Sequence, residues 1–184
     1  MSFKTFIGRT ILRLKGWKMT DFDPQLKQCV CCVAPHTSIE DFFVGIPFYW
    51  AKGVPFKVLM KAEFFKNPIV AAILRSWGGV AVNRGKASGL VDTMIDVFKG
   101  NDTVHVIVCP EGTRKRVERW HKGFYNIAVG AGVPILLGYM DFEKKECGWG
   151  KVFYPTGDYN TDIQEIWDFY RGKHAKYPEL FNLS

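Results

Sequence analysis

Nowhere in these 184 residues do about 18 apolar residues follow one another without interruption, so no helix is expected to cross a membrane. The first nineteen residues have no small-residue cleavage site, and Lys4, Arg9, Arg13, Lys15 and Lys18 are scattered through them. They are not expected to act as a secretory signal. The five cysteines (Cys29, Cys31, Cys32, Cys109 and Cys147) are an odd set, and no spaced Cys or Cys/His pairs of zinc-site type occur. Free thiols in a reducing compartment, the cytoplasm, are the expectation. Acidic residues are outnumbered by 18 to 25, leaving a net charge of +7. Such a chain is drawn to polyanions: nucleic acid, an anionic bilayer or a phosphorylated substrate. Internal repeats, low-complexity tracts and dividing linkers are all missing, so one domain is expected.

What is present is a folded composition, 47% hydrophobic and 23% charged, with a high aromatic share of 15%. Residues 3–18 place Phe3, Phe6, Ile7, Leu14 and Trp17 near one helical face, with Ile11 beside them. The basic residues fall mostly elsewhere. This spacing predicts an amphipathic helix, lying in a membrane interface or docked on its own domain. We take residues 1–20 as that basic helix and 21–184 as the main domain. Asp21–Gln25, with Pro24, reads as a turn. Strand-like runs then occur at 27–34, 56–61, 78–82, 103–109, 133–140 and 150–154. Helical patterns lie at about 38–50, 67–76, 86–99, 122–130 and 160–171, an alternation that predicts an α/β domain.

Four blocks carry chemistry. In Pro35-His36-Thr37-Ser38-Ile39-Glu40-Asp41, a histidine follows a strand and precedes a helix. A hydroxyl is a poor nucleophile until its proton is being removed, and an imidazole titrating near neutrality suits that task. Asp41 would fix its tautomer and stabilise the imidazolium, as aspartate does in serine hydrolases. An acceptor hydroxyl would take the place of the serine. Ser38 and Asp41 equally fit a capping box at a helix start, so this block has two readings. The second block, Gly78-Gly79-Val-Ala-Val-Asn83-Arg84-Gly85, ends a strand in an arginine able to fork onto phosphate, or simply exposed to solvent. The third, Cys109-Pro110-Glu111-Gly112-Thr113-Arg114, closes a buried strand with a tight turn. Arg114 can then project toward an anion and Glu111 toward an arginine or substrate hydroxyl, with Lys115, Arg116 and Arg119 extending a basic rim, or the charged loop is simply solvated. The fourth, Gly132-Val133-Pro134-Ile135-Leu136-Leu137, reads as core or as the wall of an acyl tunnel.

Taken in this order, the blocks resemble the glycerophospholipid acyltransferase family, which includes 1-acylglycerol-3-phosphate acyltransferases, and most closely a compact bacterial subgroup. The resemblance spans roughly residues 28–140, and Pro-Glu-Gly-Thr-Arg is its most specific part. Cys109 stands where an aromatic residue is usual, and Leu137 where a second proline is. The resemblance implies a single α/β domain with a mixed, mainly parallel sheet flanked by helices, the glycerol-3-phosphate acyltransferase-like fold. It implies an O-acyltransferase in which His36 is the base and Asp41 orients it. Arg84, Glu111, Gly112, Thr113 and Arg114 would bind or shape the site for the acceptor, with Lys122 a further candidate. No metal or bound cofactor is implied. The donor would be acyl-CoA or an acyl-carrier protein, and the acceptor a lysophospholipid at the inner face of the cell membrane.

Two other acceptor or function classes stay in view: a non-phosphate lyso-amino-acid lipid, and a non-enzymatic peripheral membrane module. Nucleic acid is not expected as a partner, because the basic residues form no recognisable recognition helix or aromatic sheet. His105 is expected in the core, His121 beside the rim and His174 in a polar tail. About half of the set Phe42, Phe43, Phe48, Tyr49 and Trp50 should be core, at helical spacing.

Overall fold

The computed structural model describes residues 2–82 and 89–183. Its element order is α1 (Phe3–Leu14), β1 (Lys18–Met19), β2 (Gln28–Val33), α2 (Phe42–Lys52), β3 (Phe56–Lys61), α3 (Pro68–Ser76), β4 (Gly79–Val82), α4 (Leu90–Lys99), β5 (Val104–Val108), α5 (Gly123–Ala131), β6 (Ile135–Asp141), β7 (Glu146–Phe153) and α6 (Tyr159–Tyr170). The strands form one sheet in the order β1-β7-β6-β2-β5-β3-β4. Every neighbouring pair is parallel except β6 and β7, whose short connection permits an antiparallel return. The expected mainly parallel α/β domain is what forms.

The sheet is buried on both faces, so its strands read as continuous apolar runs rather than alternating ones. On β2, Val30 and Cys32 face a core that includes Met94 of α4, Phe124 of α5 and Ile166 of α6. Cys29 and Cys31 face the opposite core, with Leu12 of α1, and Phe48 and Tyr49 of α2. No disulfide joins any of the five cysteines, and four of them are buried. Burial pushes Cys31 up to about 12, which suits packing rather than reactivity. The fourth block is core: Val133, Ile135 and Leu137 face one side and Leu136 the other.

Helix α1 docks on α2 through Gly8, where a Cβ would lie 2.4 Å from the Pro47 carbonyl oxygen. Only a glycine permits this approach. Gly8 and Leu12 are its buried residues, while Phe3, Phe6 and Leu14 stay exposed. Trp17 departs from the predicted interfacial face. It is buried, edge-on to Phe142, because the chain turns back at Gly16 and adds β1 to the sheet beside β7.

Strands β2 and β5 are adjacent and parallel, pairing Cys32 with Val108. The loops that leave them, carrying His36 and Glu111, therefore emerge side by side at the same sheet edge. This is where open parallel sheets place their ligand sites. The buried Tyr170 hydroxyl donates to the Cys32 carbonyl at 2.7 Å, tying α6 to the strand that delivers His36.

Candidate active site

Beyond Val33 the chain runs through Ala34 and Pro35 to His36, then enters a short 3-10 turn at Ile39–Asp41 that leads into α2. Asp41 is the hinge of this arrangement. Its Oδ2 accepts from His36 Nδ1 at 3.0 Å and from the Ser38 backbone N–H at 2.9 Å. Ser38 Oγ accepts in turn from the Glu40 N–H, completing a capping box. The two readings of this block thus coincide: the carboxylate that caps the turn is the one that holds the imidazole. A carboxylate only accepts, so Nδ1 carries the proton and Nε2 keeps its lone pair. The His36 side chain is 23% exposed and Asp41 only 2%, which is the order expected of a reacting group and its support.

His36 lines a groove of about 540 Å³, within the ~300–1,000 Å³ usual for ligand pockets. The groove runs between the sheet, α2 and α3, past Phe42, Ile46, Met60 and Leu74, to Cys31, Tyr49 and Trp149. Thr113 and Arg114 line it near His36. Its walls are mostly hydrocarbon and aromatic, and its charged and imidazole side chains are His36, Asp41, Lys61 and Arg114.

Glu111 is placed differently from expectation. Its carboxyl is fully buried and is not part of the groove wall; Oε1 accepts from the His36 backbone N–H at 2.9 Å. Burial, opposed by the hydrogen bonds from the His36 and Glu111 backbones, pushes its pKa up to about 7. The cause of the reversal is Gly112. At φ +65° it turns the chain so that Glu111 faces inward and Thr113 and Arg114 face out. A Cβ there would also lie 2.7 Å from His121 Cδ2. Glu111 therefore orients His36 through its backbone.

A test follows from these bonds. Glu111→Ala should cost about 1–3 kcal/mol by orphaning the His36 N–H. Because the native pKa lies above the ordinary 4.5, Glu111's contribution to stability is full below about 4.5 and fades as pH rises through 7. Glu111→Gln keeps the acceptor and should flatten that fall in denaturation midpoint between pH 4.5 and 7 relative to wild type.

With this geometry in place, the comparisons with known proteins become decisive. A family profile described as Acyltransferase matches residues 19–137, well over half of the chain. The chain belongs to the acyltransferase family. The acyltransferase also shares its fold with the crystal structure of the 1-acyl-sn-glycerophosphate (LPA) acyltransferase PlsC from Thermotoga maritima. That match has a TM-score of 0.58 and 19% identity, covering 94% of this chain and 80% of the other. No curated protein matches it significantly by sequence. Family and enzyme class are thus those the ordered motifs implied.

Lys122 does not reach the groove; its Nζ sits 4.4 Å over the Tyr159 ring, at the start of α5. Arg84 falls within residues 83–88, outside the described residues. Arg116, expected in the basic rim, donates to the Glu179 and Phe181 carbonyls. His105 is buried as expected, donating from Nε2 to the Leu26 carbonyl. His174, expected in a polar tail, pairs with Asp141 and Glu143.

Sequence reasoning missed the C-terminal buttress. The Tyr177 backbone N–H donates to Thr37 Oγ1 at 3.2 Å, and Lys176 pairs with Glu40, so the tail braces both ends of the His36 block. It also missed the groove's α3 side, where Val70, Leu74 and Trp77 contribute. The apolar periodicity of residues 69–77 was the available signal. Among the described residues no group of three or more His, Cys, Asp or Glu could hold a metal ion.

Proposed function

We propose that this acyltransferase moves a fatty acyl group from a thioester, acyl-CoA or acyl-carrier protein, onto the free hydroxyl of a lysophospholipid such as 1-acylglycerol-3-phosphate, in phospholipid biosynthesis. The observation that carries this reading is the hydrogen-bonded His36–Asp41 pair in a largely apolar groove. The activity in the name of the Thermotoga protein agrees with it.

In this mechanism the acyl chain lies along the groove, with its thioester carbonyl at His36. The acceptor hydroxyl points its hydrogen at Nε2. As the hydroxyl oxygen attacks the carbonyl carbon, Nε2 takes the proton, and Asp41 stabilises the imidazolium that forms. Collapse of the tetrahedral intermediate breaks the carbon–sulfur bond, and the thiolate recovers the proton from Nε2. The products are an ester and a free thiol. Alignment in a water-poor groove supplies much of the rate, since thiolate is already a good leaving group.

Arg114 and Lys61 are the described cations that line the groove, and we assign the acceptor's head group to Arg114, three residues beyond the Glu111 that bonds the His36 backbone. By the resemblance, Arg84 would share that anion. Arg114→Ala should raise KM for a phosphate-bearing acceptor by about 10–100-fold with little change in kcat, the loss of a charge-assisted hydrogen bond. Steady-state kinetics over a range of acceptor concentrations checks this. One arginine also takes a carboxylate, which keeps a lyso-amino-acid lipid in view.

For location, we place the enzyme in the cytoplasm, peripherally on the inner face of the cell membrane. Support comes from Phe3, Phe6 and Leu14 of α1, which stay exposed among basic residues although α1 is docked. No helix among the described residues is long and apolar enough to cross a membrane. A matrix of both donors against lysophosphatidate, other lysophospholipids and a lyso-amino-acid lipid tests the assignment. The highest kcat/KM should fall on a phosphate-bearing acceptor; acylation of the amino-acid lipid alone would reassign it.

A further inference from the structure

Helix α3 is built in reverse of an ordinary surface helix. Asn67 caps it, accepting from the Ile69 and Val70 N–H groups, and Pro68 opens its first turn. Its sequence from Pro68 to Leu74 is wholly apolar, and a soluble domain would turn such a stripe inward. Here only Ala71 is buried, while Ile69 is 72% exposed and Ile73 45%. Phe64, in the turn just before it, is 54% exposed. Among the described residues thirteen large hydrophobic side chains stand exposed. Nine of them lie on α1, on residues 39–43 or on residues 64–73. Exposed apolar residues scattered singly need no explanation, but a concentration of this kind does.

These segments adjoin one another. Lys4 of α1 donates to the Ser76 carbonyl at the end of α3, and Lys15 sits 5.8 Å over the Phe43 ring. Four of the exposed side chains, Ile39, Phe43, Phe64 and Val70, also line the groove, so the groove opens through an apolar rim. Lys61, Lys66 and Arg75 are exposed around α3, against one acid, Glu63. An apolar face ringed by cations is complementary to an anionic bilayer, in which lysines and arginines stay at head-group level. A second copy of the chain would instead bring like-charged rings together.

We propose that α3, with Phe64, is a membrane-inserting element additional to α1. The groove then opens into the anionic leaflet, and lipid substrate slides sideways from the bilayer to His36. This rests on the reading that the acceptor is a membrane lipid.

The test is the double variant Ile69→Asn/Ile73→Asn, since both side chains are exposed and neither lines the groove. Sedimentation with phosphatidylglycerol–phosphatidylcholine vesicles should show its partition coefficient about tenfold or more below wild type. Acylation of a lysolipid held in those vesicles should fall in parallel. Acylation of a short-chain lysolipid supplied as monomers should not change. Vesicle binding equal to wild type would overturn the proposal. So would a wild-type dimer, seen without vesicles, that the variant loses, because the occupant would then be a second copy. If wild type acylates neither acceptor while the variant still loses vesicle binding, the docking surface stands and the acceptor reading falls.

Discussion

Replacing His36 with alanine is expected to lower kcat/KM for transfer from thioester to hydroxyl by about 10²–10⁴-fold, the range for a lost general base. This corresponds to about 2.7–5.5 kcal/mol of transition-state stabilisation. The loss should appear in kcat and leave acceptor KM nearly unchanged, because the imidazole's contribution is made as the hydroxyl proton departs. The fold should persist. His36 is partly exposed, and the backbone bond from its N–H to Glu111 survives the substitution. Comparison of kcat, KM and the circular-dichroism spectrum of the two proteins checks all three statements together. A variant that retained wild-type kcat would remove His36 from the chemistry.

Asp41→Asn should lower kcat by a similar factor, about 10²–10⁴-fold, for a separate reason. The carboxylate holds the proton on Nδ1 and faces the positive charge that develops on the ring. An amide can present its NH2 to Nδ1, which favours the wrong tautomer, and it carries no charge to balance the imidazolium. Asp41 also accepts from the Ser38 N–H, so some loss of stability should accompany the loss of rate. Ser38→Ala separates the two contributions. It removes the side-chain bond to the Glu40 N–H and should cost about 1 kcal/mol, the usual worth of an N-cap, with kcat within a few-fold of wild type. If Asp41 merely capped the turn, the two variants would behave alike in both denaturation and turnover.

Much of the architecture was legible because a parallel sheet covered on both faces writes itself as apolar runs. The run 56–61 is the strand Phe56–Lys61, and the helices fall within a few residues of their periodic stretches. Strand β1 was not legible. Two residues carry no periodicity, and their extended state is set by pairing with β7, far away in the chain. The pairing of His36 with Asp41 could be read from five-residue spacing, because a helix cap and support for the imidazole both ask for a carboxylate at that position. Glu111 was legible as the carboxylate of the turn that closes β5, but its direction was not. That direction depends on a positive φ at Gly112, which the sequence permits without requiring. The α3 helix was visible in the pattern, yet apolar periodicity says which residues share a face, not whether that face looks inward or outward. Lys122 shows the same limit, since its neighbourhood was set by Tyr159, 37 positions further on.

In the proposed reaction an acyl group passes directly from a thioester to a lipid hydroxyl at His36. The most direct test is to quantify, in one reaction, the thiol released and the acylated lipid formed when enzyme is mixed with an acyl thioester and lysophosphatidate. Wild type should give equal amounts of the two, and His36→Ala negligible amounts of both. Thiol release without acylated lipid would show hydrolysis in place of transfer. Equal yields from wild type and His36→Ala would show that the transfer proceeds at some other site.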